Sequence, residues 1–190
     1  MSTTVARPSG RLGPARKRRI VREAIDFVCE RHALSLEQRR ALEAVPIRWR
    51  RRQGASRFYL RGVHGFSGPH ILVSVGRGST VRWHTYRRVR AGLVTPPEGI
   101  PVPAGLHATI ALVHELTHAV QHGMCGTPKR RYSEVETTAS EIEFVRRVAP
   151  EVHAKLVPVQ RQRVKVRARA PRHIPRWKGL SAWLRAFLRG

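Results

Sequence analysis

Five consecutive residues, His114, Glu115, Leu116, Thr117 and His118, spell HExxH. Two imidazoles four residues apart on a helix lie one above the other, at a separation that lets both reach one tetrahedral Zn²⁺. The intervening Glu115 can then reach a metal-bound water without ligating. Hydrolysis is the chemistry expected of such a group. Zinc lowers the pKa of its water to about 7 and polarises a scissile carbonyl, while Glu115 takes the proton and passes it to the leaving amine. The chain has 10 His and 11 Glu in 190 residues. Chance placement then yields roughly 0.03 such motifs per chain, which disfavours coincidence.

A catalytic zinc needs a third protein ligand. His122 is i+4 from His118, but three ligands on consecutive turns of one straight helix form a row and cannot surround a tetrahedral ion. It is expected beside the site or at the helix end. Cys125 is soft enough for zinc, although a buried structural thiol is the commoner role. Better candidates lie on the following segment, Ser133 to Glu143. At 100° per residue, with Val135, Ala139, Ile142 and Val145 facing inward, Glu136 and Glu143 share one shoulder of the apolar face. Glu134 and Glu141 share the other. Small residues at i+3 and i+4 of Glu136 (Ala139, Ser140) favour close helix approach there, so Glu136 is the expected ligand and Glu134 the alternative. Ser133 and Glu136 also match a capping box, which would fold Glu136 back onto Ser133. A helix opened by Thr127 and Pro128 would instead leave Glu136 interior and able to ligate.

The elements that must position these groups follow from periodicity and punctuation. Ile20, Ala24, Phe27 and Val28 mark a helix to Arg31, and Ser35 with Gln38 forms a capping box for a second helix ending at Glu43. Between Ile47 and Tyr86, β-branched or aromatic runs (Arg57 to Arg61, His70 to Val75, Thr80 to Tyr86) alternate with glycines and read as three or four strands. A proline-rich connection (Pro96, Pro97, Pro101, Pro103) leads to a helix over Gly105 to His122, with Leu106, Ile110, Val113, Thr117 and Val120 on one face and Gly123 as its stop. The glutamate-bearing helix runs from about Ser133 to Ala149, closed by Pro150. The fold class is therefore α+β, with N-terminal helices, a small mixed sheet and the two motif helices.

The run HELTHAVQHG followed by Glu136-Thr137-Thr138-Ala139 (ExxA) resembles the zincin metallopeptidases of gluzincin type. It looks most like the short ImmA/IrrE-type peptidase domains and the zincin-like domain of plasmid antirestriction proteins. That resemblance covers about Ile110 to Val145 and implies His114 and His118 as ligands, Glu115 as catalytic base and Glu136 as third ligand. SprT-like proteases share HExxH but take a later histidine as third ligand, and none lies between His122 and His153. The metzincin HExxHxxGxxH pattern is absent. In a zincin-like fold the strands before the motif form a sheet whose edge borders the cleft, and a protein or peptide substrate would add a strand to it. His84 and Tyr132 are candidates to hold the oxyanion, though each is more often just a packed aromatic.

Charge sets the surroundings of this site. Lys+Arg is 37 against Asp+Glu 12, a formal net charge of +25, which implies an anionic partner or a strong non-specific affinity for one. No acid occurs before Glu23, between Glu43 and Glu98, or after Glu151. The expected organisation is a flexible basic arm over residues 1–18, a zincin-like domain over 19–150, and a basic tail over 151–190. The tail ends in an amphipathic helix with Trp177, Trp183, Leu184 and Phe187 on one face, suited to docking on the domain or to membrane-surface contact. Arg48, Arg50, Arg51 and Arg52 form a cluster suited to DNA or RNA phosphates without base reading. The alternative to a zinc metalloendopeptidase is thus a basic nucleic-acid-binding protein on an inactive or secondary zincin scaffold. The longest mostly apolar run, Gly99 to Val113, is too short for a transmembrane helix. Two cysteines give no disulfide framework and suit the cytoplasm.

Overall fold

In the computed structural model, which describes residues 12–50, 56–59, 68–75, 79–83, 93–96, 98–129 and 133–158, helix α1 spans Pro14–Arg31. Proline at the first helical position pre-sets φ and lacks the N–H that would be orphaned there. The helix therefore starts earlier than its apolar pattern and takes in the last residues of the expected arm. Helix α2 (Leu36–Glu43) opens with the capping box read from sequence: Ser35 Oγ accepts from Gln38 N at 3.2 Å, and Gln38 Oε1 accepts from Ser35 N at 2.9 Å.

Three strands then build a small mixed sheet: β1 (Ile47–Arg50), β2 (Arg57–Tyr59) and β3 (His70–Ser74). The order is β1-β3-β2, with β1 parallel to β3 (Ile47 opposite Ile71) and β2 antiparallel to it (Phe58 opposite Ile71). Every residue of β3 is buried, as a central strand covered on both faces must be. Strand β4 spans Ser79–Val81; of the expected run from Thr80 to Tyr86, Arg82 and Trp83 fall beyond the strand and residues 84–86 lie outside the described residues. Strand β5 (Leu93–Val94) follows, and β6 (Ile100–Val102) forms inside the proline-rich connection. There Pro101 faces Thr80 of β4 in an antiparallel two-stranded ladder, where a missing N–H is tolerated on the outer side.

Helix α3 (Ala104–Gln121) crosses the core. Its Leu112, Val113 and Leu116 are fully buried, together with Val28 of α1, Ile71 and Val73 of β3 and Val145 of the next helix. Each such side chain contributes about 1.5–3 kcal/mol by leaving water. The helix ends on Gly123, whose φ of 74° is left-handed. Met124 N donates to Ala119 O at 3.1 Å and Gly123 N to Val120 O at 3.0 Å, the two bonds of a Schellman stop. Helix α4 (Glu134–Val148) is capped by Ser133, and Phe144 meets Phe27 of α1 edge to face at 5.2 Å. Thr127 does not open this helix; its Oγ1 donates to Val120 O.

Packing also continues past residue 150. Helix α5 (Pro150–His153) and strand β7 (Val157–Pro158) follow, with β7 antiparallel to β5 and with Val152 and Leu156 buried. Residues 151–158 thus belong to the folded domain and not to a tail. Clustering of contacts separates residues 1–159 from a second unit, 160–190. The second lies outside the described residues, as does the expected amphipathic helix with Trp177 and Trp183.

Candidate metal centre

His114 and His118 occupy successive turns of α3, their rings nearly perpendicular (82°) with centroids 4.7 Å apart. Their Nε2 atoms approach to 3.0 Å. Glu134, the first residue of α4, completes the group: its Oε2 lies 3.4 Å from His114 Nε2 and its Oε1 lies 3.6 Å from His118 Nε2. A tetrahedral ion with ligands at about 2.0–2.1 Å holds them about 3.3–3.4 Å apart, so this donor set fits Zn²⁺ in both chemistry and size. Among the described residues, His114, His118 and Glu134 are the group found close enough to hold a metal together.

Each imidazole is held from behind through Nδ1. His114 Nδ1 lies 3.3 Å from Glu141 Oε1, and the buried indole N–H of Trp83 donates to Glu141 Oε2 at 2.7 Å. His118 Nδ1 meets Gln121 Oε1 at 3.0 Å. Gln121 is in turn pinned by donating through Nε2 to Ser133 O (3.2 Å) and to Glu136 Oε2 (2.9 Å). Partners of this kind fix tautomer and ring orientation, here leaving both Nε2 atoms to face Glu134. Burial disfavours a charged His114, but the hydrogen bond and charge of Glu141, with Glu115 and Glu134, outweigh it and raise its pKa to about 9. For His118 burial prevails and the pKa falls.

Glu115 points from α3 towards the sheet. Strand β2 lies at the sheet's edge, and its Phe58 N–H donates to Glu115 Oε2 at 2.6 Å. Burial raises the Glu115 pKa to about 7, against the opposing pull of His114 and the Phe58 N–H. A carboxylate poised near neutrality can both accept and return a proton. A cleft of about 340 Å³ runs along these groups, lined by Ser56, Arg57 and Phe58 on one side and by the histidines, Glu115 and Glu134 on the other.

The expected ligand Glu136 is not in this group. Its Oε1 lies 4.0 Å from Nδ1 of His32, the residue that follows α1, and its Oε2 accepts from Gln121. The cause is the rotation of α4. The expected inward face was Val135, Ala139, Ile142 and Val145, whereas the buried residues are Thr137, Ser140, Glu141, Ile142, Phe144 and Val145. That turns the helix by about a third of a turn, carrying the Glu134 and Glu141 shoulder to α3 and the Glu136 and Glu143 shoulder to α1. Thr137 Oγ1 donates to Glu134 O and Ser140 Oγ to Glu136 O, so both hydroxyls are satisfied within their own helix and bury like small apolar groups. Ser133 caps through Oγ to Glu136 N, but its own N–H goes to Gln121, so the reciprocal half of the expected box is missing.

His122 takes the expected place at the end of α3, lining the cleft with its ring 5.7 Å from Phe58. Cys125 is a buried free thiol whose pKa is raised by burial. Of the arginine cluster, Arg48 is exposed, whereas Arg50 is half-buried and donates to Ser74 Oγ at 3.3 Å. Arg51, Arg52, His84 and Tyr132 lie outside the described residues. Glu141, Gln121 and Trp83 were not anticipated; the one sequence signal for Glu141 is its i+7 spacing from Glu134. In comparisons with family models, curated proteins and solved structures, nothing matches this chain.

Proposed function

We propose that the chain is a zinc-dependent metalloendopeptidase with a zincin-like site formed by His114, His118 and Glu134. The observation that carries this reading is the convergence of two imidazole Nε2 atoms and one carboxylate at 3.0–3.6 Å, with Glu115 beside them. Zinc held there supplies Lewis acidity that activates water and polarises a carbonyl. The Glu115 carboxylate accepts the proton of the attacking water and delivers it to the amine that leaves. The Phe58 N–H orients that carboxylate, and burial tunes it towards neutrality. Glu141 and Gln121 keep the imidazoles turned to the cleft. Edge strand β2 borders the same cleft and supports an extended peptide as the substrate, paired by main-chain hydrogen bonds.

Among the described residues no helix is long and apolar enough to cross a membrane. Both described cysteines are free and buried, which suits a reducing compartment such as the cytoplasm. The test pairs metal content with cleavage of an unstructured protein. Wild type is expected to carry about one zinc per chain. Glu115→Gln should keep the zinc and lose cleavage by about 10²-fold or more. Wild type without stoichiometric zinc, or equal cleavage by the variant, refutes the assignment.

A further inference from the structure

Helix α1 carries its charge in two halves. Its exposed charged residues are Arg16, Arg18, Arg19 and Arg22 near the start, and Glu23, Asp26 and Glu30 further on. The later acids meet basic partners: Asp26 pairs with Arg39, and Glu30 with Arg147 at 2.7 Å. On α4, Glu143 pairs with Arg31 and Arg147. By contrast, no carboxylate among the described residues lies within ion-pair distance of Arg16, Arg18, Arg19 or Arg22.

This placement runs against local electrostatics. The first turn of α1 holds no acid and no side-chain cap, so cations crowd the positive end of the helix dipole. Arg16 adds to this at a second helix start. Its guanidinium packs against Gly105 in the first turn of α3, so closely that a Cβ on Gly105 would lie 2.7 Å from Nη2. Lys17 Nζ sits 5.4 Å over the Trp49 ring of β1, which anchors this end of α1 to the sheet. Arg18, Arg19 and Arg22 therefore share about 100° of the exposed arc of α1, with no carboxylate among the described residues within ion-pair distance, while Arg16 lies at the edge of that arc beside α3.

We propose that the face of α1 formed by Arg18, Arg19 and Arg22 is a docking surface for the phosphate backbone of nucleic acid. Guanidinium forks take two phosphate oxygens each, and successive arginines on one helix match a row of phosphates. The face presents no large apolar residue to insert into a bilayer. Among the described residues those exposed are Leu36, Val148 and Val157, none of them on α1. The surface also leaves the cleft accessible. Gly105, beside Arg16, precedes His114 by nine residues, about 14 Å along the helix axis. A nucleic acid held at this end would leave the metal centre facing elsewhere. The proposal moves the phosphate contact away from the Arg48 to Arg52 cluster, and it does not depend on peptidase activity.

The test uses the full chain and a duplex DNA of random sequence, titrated between about 50 and 200 mM salt. The variant Arg18→Gln/Arg19→Gln/Arg22→Gln is compared with Arg40→Gln/Arg82→Gln/Arg146→Gln, which removes the same charge from exposed sites elsewhere. Gln keeps helix propensity, and removing cations from a helix start should not lower the thermal midpoint. The α1 variant is expected to lower the slope of log K against log[salt] by about 2 to 3, and the control by less than about 1. A third variant, Arg18→Lys/Arg19→Lys/Arg22→Lys, should retain most of the slope. Equal losses in the α1 and control variants, or no loss in the α1 variant, overturn the proposal. So does binding of phosphatidylserine vesicles that the α1 substitutions weaken while DNA binding stays unchanged.

Discussion

Two pairs of glutamates on α4 share a spacing of seven residues and differ in everything else. Glu134 and Glu141 meet the histidines of α3, one at their Nε2 atoms and the other behind His114. Glu143 pairs with Arg31 of α1 and with Arg147 of α4 itself, and Glu136 accepts from Gln121 of α3 with His32, just past α1, at 4.0 Å. In sequence the two shoulders are nearly equivalent. What separates them is the surface packed opposite: a helix carrying two imidazoles on one side, and Arg31 and His32 at the C-terminal end of another helix on the other. A carboxylate becomes a candidate ligand or a structural partner according to what faces it.

Breaking the first shoulder should have the largest effect. Glu134→Gln is expected to weaken zinc binding by more than the about 100-fold typical of losing an outer partner, read by competition with a chelator. If Glu136→Gln does this instead and Glu134→Gln does not, the assignment of the shoulders is reversed.

Glu141→Gln comes next, with zinc affinity falling about 10- to 100-fold while the ligands stay in place. The same variant has a metal-free signature. His114 has a folded-state pKa raised to about 9 from an ordinary 6.5. Its protonated form therefore adds stability that is fully present below about pH 6.5 and is lost as pH rises through about 9. The thermal midpoint of metal-free protein should decline across that window, and in Glu141→Gln the decline should shrink. An unchanged profile would show that Glu141 does not hold His114.

The smallest effect is expected on the second shoulder. Glu143→Gln removes pairs with Arg31 and Arg147, which are partly exposed. A loss of about 1 kcal/mol or less is expected in denaturant unfolding, with zinc affinity unchanged. A drop in affinity as large as that of Glu141→Gln would mean that the two faces of α4 act as one.

Much of the scaffold was legible because its signals are local. The Ser35 and Gln38 box, the Gly123 stop and the extent of α3 each depend on residues within one or two turns, and each is present. Strand β6 was not legible, since Pro101 argues against pairing and only the outer side of a two-stranded ladder accommodates it. Residues 151–158 were also missed. The basic composition beyond them suggested a tail, while Val152 and Leu156 in fact close the core. The hydroxyls of Thr137 and Ser140 hid the true inner face of α4, because a pattern reader counts them as polar although their hydrogen bonds are satisfied in place.

By itself, the sequence determined that two imidazoles and a glutamate share a helix face, and that the chain's acids are few and regionally confined. The first follows from helical periodicity and the second from simple position along the chain. Tertiary structure alone decided which carboxylate joins the imidazoles, that Trp83 secures Glu141 from 58 residues away, and that the edge of β2 holds Glu115. The rotation of α4 about its axis is set by the combined packing of Thr137, Ser140 and Phe144 against distant elements. No local repeat encodes that sum, so the sequence left the carboxylate between the two shoulders, and only the fold brings Glu134 to the imidazoles.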